Sequence, residues 1–128
     1  MKLLLDTHLL LWSADRPEEL SKTAVGLLGN PDNILFFSAA NVWEISIKNS
    51  VRRKDFPVDP GIFRRNLLTN GCIEFPITSE HAIAIQALAP IHKDPFDRIL
   101  IAQATVEGIT LLTSDRQVAK YPGPILKV

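Results

Sequence analysis

The chain lacks several features that would place it in common classes of protein. Its single cysteine, Cys72, excludes an internal disulfide and a cysteine-based zinc site, and this usage is typical of the reducing cytoplasm. No apolar run approaches the roughly 20 residues that span a bilayer, and Asp6 and His8 interrupt the apolar start, which argues against a secretory signal. With 14 Lys and Arg against 14 Asp and Glu, the formal net charge is zero. A nucleic-acid partner would therefore be recognised by local patches.

The residues that are present predict one α/β domain, residues 1–128. At 128 residues the chain is long enough to form one domain, and its 46% apolar content is sufficient for a sizeable core. Short apolar runs alternate with stretches of helical character, which favours a mainly parallel sheet covered by helices on both faces. The predicted strands are 2–5, 34–37, 73–76, 109–113 and 125–128. The predicted helices are 8–14, a segment from Pro17 to about 28, 40–53, 61–70, 78–89, 95–107 and 115–120.

Four acidic residues fall where this fold would bring them together. Asp6 and Asp115 follow predicted strands, Asp97 lies at a helix start, and Glu44 lies in a helix that begins just after a strand. Parallel α/β sheets bind ligands at the carboxyl ends of their strands. Several carboxylates in an apolar setting would hold their protons unless a cation neutralised them, and Mg²⁺ and Mn²⁺ favour oxygen ligands. The pattern indicates a metal-dependent hydrolase.

Each of these acids also has a purely structural interpretation. Asp6 and Asp115 could cap the helices that follow them. Glu44 could pair with Lys48 one helical turn later, which stabilises a helix by only ~0.2–0.5 kcal/mol. Asp94 is most simply a helix N-cap, which would put Asp97 at the third helical position, where acids are common.

The order and context of these residues resemble the PIN-domain ribonucleases, and closely the VapC-type toxins of bacterial toxin–antitoxin pairs. The resemblance covers nearly the whole chain and is carried by a set of motifs. The motifs are Asp6-Thr7-His8 with Leu10-Leu11-Trp12, Ser38-Ala39-Ala40 with Val42-Trp43-Glu44-Ile45, His92-Lys93-Asp94-Pro95-Phe96-Asp97-Arg98 with Leu100-Ile101-Ala102-Gln103-Ala104, and Leu112-Thr113-Ser114-Asp115. Many members of the family have Ser or Asn where this chain has His8.

The resemblance implies a three-layer α/β/α sandwich and a site built on four acids. The family's first-strand Asp corresponds to Asp6 and its helical Glu to Glu44. Its Asp before the Leu-Ile-Ala helix corresponds to Asp97, and its Thr-x-Asp acid to Asp115. These four would be the catalytic and metal-binding residues, with Mg²⁺ or Mn²⁺ as cofactor.

The implied function is an endoribonuclease that hydrolyses RNA with a metal-activated water and acts as the toxin of a type II toxin–antitoxin pair. The implied partners are an RNA substrate, a cognate antitoxin and a second copy of the chain in a homodimer. A metal-dependent nuclease acting on DNA or another phosphodiester is an alternative. A catalytically silent module that binds RNA or a protein partner is an alternative of another class. His8 is a rival to the metal as general base.

Other residues are candidates for supporting roles. Thr7 and Thr113 lie close in sequence to two of the acids, and Arg98 and Arg116 each follow one of them. Either arginine could hold a phosphate or pair with an acid. The two tryptophans, Trp12 and Trp43, lie in apolar helical runs and are predicted to be core residues. A basic cluster could either be a solvated helix face or track an RNA backbone; its members are Lys48, Arg52, Arg53 and Lys54.

Overall fold

A computed structural model, which describes residues 1–51 and 54–128, contains one five-stranded sheet in which every pair of neighbouring strands is parallel. The strands lie in the order β3-β2-β1-β4-β5. Their bounds are β1 Lys2–Leu5, β2 Ile34–Ser38, β3 Ile73–Phe75, β4 Thr110–Thr113 and β5 Ile125–Lys127. The predicted α/β class is confirmed, and the sheet is wholly rather than mainly parallel.

In the described ranges, 1–51 and 54–128, seven α-helices connect and cover the strands. Their bounds are α1 Thr7–Asp15, α2 Lys22–Gly29, α3 Ala39–Val51, α4 Pro60–Thr69, α5 Ser79–Ala84, α6 Pro95–Glu107 and α7 Arg116–Ala119. Gly108 ends α6 in the left-handed region, at φ 67°, where a residue with a Cβ would be strained. Within the residues that the structure describes, no helix is long and apolar enough to cross a membrane.

Two predicted helices are wrong in their bounds. The segment from Pro17 forms only a 3₁₀ turn, Pro17–Glu19, and α2 starts afresh after Ser21, whose hydroxyl accepts a hydrogen bond from the Ala24 amide. The helix predicted over 78–89 ends at Ala84 and continues as a 3₁₀ turn, Ile85–Ala87. The Ser21 N-cap therefore explains why α2 begins at Lys22 rather than at Pro17. The predicted end of the third helix at Arg53 lies outside the described residues.

Apolar side chains fill both faces of the sheet. Along β1, Leu4 points to one face, while Leu3 and Leu5 point to the other, as the two-residue period of a strand requires. The first face packs against α6 through residues such as Leu100, and the second packs against α1 through residues such as Leu9. The predicted three-layer arrangement is therefore present.

The register of the two central strands sets the position of the residues that follow them. Leu5 of β1 is paired with Leu112 of β4, and the Asp6 amide donates to the Leu112 carbonyl at 3.1 Å. Asp6 and Thr113 are therefore side by side at the carboxyl edge of the sheet. Because α3 begins directly after β2, its first turns rise from this same edge.

Candidate functional site

A cavity of about 250 Å³ opens at the carboxyl ends of β1 and β4. All four acids singled out in the sequence line it, although they come from four separate parts of the chain. Its nine lining residues are Asp6, Thr7, His8, Glu44, Lys48, His92, Asp94, Asp97 and Asp115. The fold thus brings the predicted carboxylates together, while their catalytic and metal-binding roles stay a prediction.

Asp6 is held by three hydrogen bonds and is 4% exposed. Its Oδ1 accepts from the Leu9 amide at 2.9 Å, which caps α1. Its Oδ2 accepts from the Thr113 hydroxyl at 2.6 Å and from the Ser114 amide at 3.2 Å. Burial raises the pKa of Asp6, whereas these hydrogen bonds and the nearby His8 act in the opposite direction. Asp6 is thus a buried acid whose position the protein itself fixes.

Glu44 is held at the end of a chain of buried side-chain hydrogen bonds. The Ser38 amide donates to Asn41 Oδ1 at 2.7 Å, and Asn41 Nδ2 donates to Thr7 Oγ1 at 2.9 Å. The Thr7 hydroxyl then donates to Glu44 Oε1 at 2.6 Å. The other carboxylate oxygen, Oε2, lies 2.9 Å from the Lys48 ammonium. The predicted pair of Glu44 with Lys48 is therefore present, within the cavity rather than on an outer helix face.

Asp97 faces more negative charge than Asp6 does. Burial is the largest cause that raises the pKa of Asp97 to about 7, and the carboxylates of Asp94, Glu44 and Asp115 add to it, while His92 opposes them. His92 Nε2 lies 2.9 Å from Asp97 Oδ2. A carboxylate whose ionised form is this unfavourable gains from an added cation.

Asp94 and Asp115 serve as helix caps as well as cavity residues. Asp94 Oδ1 accepts from the amides of Phe96 and Asp97 at the start of α6. Asp115 Oδ1 accepts from the amides of Gln117 and Val118 at the start of α7. In each case the bonds engage one carboxylate oxygen. The structural interpretations of these acids are thus compatible with a shared site.

The side chains present fit a divalent cation. One ligand atom from each of His92, Asp94 and Asp97 lies within 4.8 Å of the other two. Two carboxylates and an imidazole are a donor set that Mn²⁺ and related ions accept. The raised pKa of Asp97 has the direction expected where the protein groups alone leave negative charge uncompensated.

The candidate supporting residues lie at differing distances from the cavity. Thr7 and Thr113 bond directly to Glu44 and Asp6. Arg98 does not line the cavity, because its guanidinium donates to the carbonyl oxygens of Ala89 and Ile85 and to the Tyr121 hydroxyl. These contacts favour a structural role over a phosphate contact.

The basic cluster is only partly within the described residues. Lys48 lies in the cavity, and Lys54 is exposed in the turn beyond α3. Arg116 is exposed on α7. Arg52 and Arg53 lie outside the described residues, so their proposed RNA contacts stay predictions.

The prediction of a buried Trp43 is wrong. Its side chain is 55% exposed and meets the edge of Phe96, with 5.0 Å between ring centroids. Glu44 and Ile45 are the residues of this turn that point inward, so Trp43 is left on the outer side of α3. Trp12, in contrast, is partly buried against the second core.

Two residues of the site were not singled out by sequence reasoning. Asn41 orients Thr7 from 34 residues away, a contact for which a single sequence carries no signal. His92 appears in the sequence only as part of a family motif, but its spacing to the two acids, His-x-Asp-x-x-Asp, is a signal for a shared set of ligands.

Comparison with known proteins agrees with this fold. The sequence profile of the PIN domain matches residues 3–124, and no curated protein matches the chain.

Among solved structures, the chain is similar to VapBC2 from Rickettsia felis bound to a DNA fragment from its promoter, with a TM-score of 0.73, 15% identity, and coverage of 99% of this chain and 98% of that one. It is also similar to a toxin–antitoxin complex from Klebsiella pneumoniae, with a TM-score of 0.61, 19% identity, and coverage of 98% and 96%. VapC20 of Mycobacterium tuberculosis, described as a sarcin–ricin loop cleaving toxin, has a TM-score of 0.60, 13% identity, and coverage of 91% and 92%. At these identities the similar structures show the fold alone.

Proposed function

Because this chain belongs to the PIN-domain family, we propose that it is a Mg²⁺- or Mn²⁺-dependent endoribonuclease and the toxin of a type II toxin–antitoxin pair. PIN domains generally bind divalent metals and are typically nucleases. The observation that carries the proposal is the cavity at the carboxyl edge of the sheet, where Asp6, Glu44, Asp97 and Asp115 converge. We further propose that residues 1–128 act as one nuclease domain.

The side chains divide the work of such a site. Asp97 and Asp94, with Asp6 nearby, would hold the cation, which when bound supplies positive charge for the phosphate that is cleaved. Thr113 and the Leu9 amide orient Asp6, and Thr7 orients Glu44. Lys48 would contact the phosphate, since its ammonium is already at the cavity.

Cleavage of RNA by the purified chain tests this proposal directly. Single-stranded RNA should be cleaved with Mg²⁺ or Mn²⁺ and left intact with EDTA, and single-stranded DNA of the same sequence should be left intact. Asp97→Asn should abolish cleavage, whereas Asp32→Asn, a change to an exposed acid at the opposite edge of the sheet, should not. Cleavage of DNA alone would favour the alternative substrate, and no cleavage of either would favour a silent binding module.

A groove of mixed apolar and charged lining next to the acidic cavity supports an antitoxin as partner. It has a volume of about 260 Å³, with an apolar part formed by Leu11, Trp12, Phe56, Pro57 and Val58 and charged residues such as Asp15, Arg16 and Asp55 beside it. His8 and Lys48 line both the groove and the cavity, so the two spaces adjoin. An antitoxin segment could bury apolar residues in the groove and extend an Arg or Lys to the carboxylates, where a charge-assisted hydrogen bond would form.

Co-expression with the product of the adjacent gene tests this partner. A stable complex with suppressed nuclease activity is expected. Trp12→Ala should weaken the complex, while Ile83→Ala, which removes an exposed apolar side chain on α5, should not. Separation of the two wild-type proteins on size exclusion at micromolar concentration would contradict the toxin–antitoxin proposal and leave the nuclease proposal standing.

An apolar stripe on α3 supports the homodimer. Trp43, Ile47 and Val51 recur at intervals of four residues, which places them on one side of the helix, and they are 55%, 41% and 75% exposed. A two-fold axis would pair this stripe with its copy. Ile47→Glu should shift the chain to a monomer in sedimentation experiments, with Ile83→Glu as the matched control. A monomeric wild-type chain would contradict the dimer.

A further inference from the structure

We propose that His92 is itself a metal ligand and that its imidazole makes the centre prefer Mn²⁺ to Mg²⁺. The inference rests on the proposed metal site and extends it, because the sequence pattern assigned that site to carboxylates alone. Three kinds of observation carry it: the spacing of the donor atoms, the way the protein holds His92 in place, and the chemistry of the donor set.

The spacing of the donor atoms suits a shared ion. Two ligands at right angles around one ion, each about 2.1 Å from it, lie about 3 Å apart. His92 Nε2 and Asp97 Oδ2 are 2.9 Å apart, and one ligand atom from each of His92, Asp94 and Asp97 lies within 4.8 Å of the other two. His92 also lines the cavity beside Asp6 and Asp115. An ion held by His92 and Asp97 would therefore sit among the other acids.

The main chain of His92 is fixed by a buried tyrosine and the Arg98 guanidinium. The His92 amide donates to the Tyr121 hydroxyl at 2.8 Å, and that hydroxyl donates to the His92 carbonyl at 3.0 Å. Arg98 Nη1 donates to the same hydroxyl at 2.9 Å and to the Ala89 carbonyl at 3.0 Å. Tyr121 is 4% exposed. Tyr121 and Arg98 are therefore positioning residues that hold His92 where its ring reaches the carboxylates.

The donor set predicts which ion is preferred. Carboxylates suit Mg²⁺, Ca²⁺ and Mn²⁺ alike, whereas an imidazole nitrogen favours transition metals. Mg²⁺ also gives up its water reluctantly. A site with one imidazole and two or more carboxylates should therefore bind Mn²⁺ more tightly than Mg²⁺ by a margin that depends on His92.

Calorimetric titration of Mn²⁺ and of Mg²⁺ into the RNA-free protein measures that margin. His92→Gln should weaken Mn²⁺ binding by at least roughly tenfold, the lower end of what loss of an outer-shell partner of a metal ligand already costs, with a smaller loss for Mg²⁺. His8→Gln is the matched control, since His8 lines the same cavity outside the His92, Asp94 and Asp97 cluster, and it should leave both affinities unchanged. Tyr121→Phe should lower Mn²⁺ affinity in the same direction by a smaller factor.

Pulsed electron paramagnetic resonance of the Mn²⁺-loaded wild-type protein tests ligation without relying on a variant that folds. A directly bound imidazole should give a ¹⁴N coupling, which His92→Gln should remove and His8→Gln should keep. If His92 merely pairs with Asp97, no such coupling appears, and the inference is overturned.

The outcomes separate this inference from the proposed function. Mn²⁺ binding without a ¹⁴N coupling, or with equal affinities in wild-type and His92→Gln protein, overturns the role of His92 and leaves the carboxylate site intact. If wild-type protein binds neither ion, the metal site fails, and with it both proposals.

Discussion

The two sides of the acidic cavity differ in how their buried carboxylates are compensated. On the Asp6 side, comprising Asp6, Thr7 and Glu44, the protein supplies the compensation, through three hydrogen bonds to Asp6 and both a hydroxyl and an ammonium to Glu44. On the Asp97 side, comprising His92, Asp94, Asp97 and Asp115, burial and the neighbouring carboxylates raise the pKa of Asp97, and His92 is its partner.

This difference shows which part of the site the fold completes and which part it leaves for a ligand. On the Asp6 side the chain itself supplies hydrogen-bond partners that oppose the effect of burial on the pKa of Asp6, although the pKa is still raised overall, so this side should depend less on metal. The Asp97 side carries charge that the chain does not fully offset, so its stability should depend on an added cation. The predictions below follow from this contrast, from the largest expected effect to the smallest.

The first prediction is that two equivalent substitutions change stability in opposite directions. Asp6→Asn places an amide donor against the Thr113 and Ser114 donors and should lower the free energy of unfolding by about 1–3 kcal/mol. Asp97→Asn removes a negative charge that neighbouring carboxylates repel, so it should raise the free energy of unfolding. The expected gain at neutral pH is about 1 kcal/mol, a figure reduced by solvent screening. Urea unfolding in EDTA measures both.

Both variants should fold and both should be inactive, so activity alone would not distinguish them. Asp32→Asn, with an exposed carboxylate, should stay within about 0.5 kcal/mol of wild type. A loss of stability of similar size in both cavity variants would show that the two sides do not differ.

The second prediction concerns the hydrogen-bond chain behind Glu44. Thr7→Val keeps the shape of the side chain but leaves Asn41 Nδ2 and Glu44 Oε1 without their buried partner. We expect a loss of about 1–2 kcal/mol in unfolding free energy and reduced cleavage, because Glu44 is no longer oriented. Thr7→Ser retains the hydroxyl and should recover most of both. If Thr7→Val unfolded like wild type, the Asp6 side would not depend on this chain of bonds.

The third prediction is a pH dependence of stability in the metal-free protein. The pKa of Asp97 is about 7 in the folded chain against an ordinary value of 3.8, so between these pH values the folded state binds more protons than the unfolded state. The free energy of unfolding should therefore fall as pH rises through this window. We expect the contribution of Asp97 to be about 1 kcal/mol after screening.

The difference between wild type and Asp97→Asn isolates that contribution, because the other titrating groups are shared. It should grow from pH 5 to pH 8 and shrink when Mn²⁺ is added. A difference that stays constant over this range would contradict the electrostatic account of the Asp97 side.

The smallest predicted effect is on the ion pair of Lys48 with Glu44. Lys48→Met should cost about 0.2–0.5 kcal/mol of stability, because the Lys48 side chain is 37% exposed and the pair is partly screened. Lys54→Met, which changes the net charge equally at an exposed position, is the control. A loss above 1 kcal/mol would mean that the Asp6 side depends on Lys48 more than its hydrogen bonds suggest.

Much of the fold could be predicted because its signals are local. The apolar run at 34–37 is as long as a buried strand, and Asp94-Pro95 starts a helix by capping chemistry that two adjacent residues supply. The break at Ser21 is hidden in the sequence because Pro17 offers a competing helix-start signal. The prediction for Trp43 is wrong because an apolar neighbourhood in sequence does not reveal which side of a helix meets the sheet.

The acidic residues of the site could be predicted from the sequence, whereas the hydrogen bonds that orient them could not. The four acids follow from strand ends and from the family resemblance, but the bonds that orient them join distant residues. Asn41 reaches Thr7 across 34 residues, and Tyr121 reaches His92 across 29. Such partners depend on the register of the sheet and on the packing of α6, which a single sequence does not specify.

The bond between Thr113 and Asp6 has a consequence for the order of events during synthesis. Its two residues are 107 positions apart in the sequence. The Asp6 carboxylate, which follows β1, therefore gains the Thr113 hydroxyl as a donor only after β4 has been synthesised. Until β4 has emerged from the ribosome, a nascent chain lacks both this bond and Asp115. Because non-local pairing forms late, the acidic cavity is assembled only when nearly all of the chain is available. Under the proposed function, an incomplete chain would therefore be unable to cleave RNA before its synthesis is nearly finished.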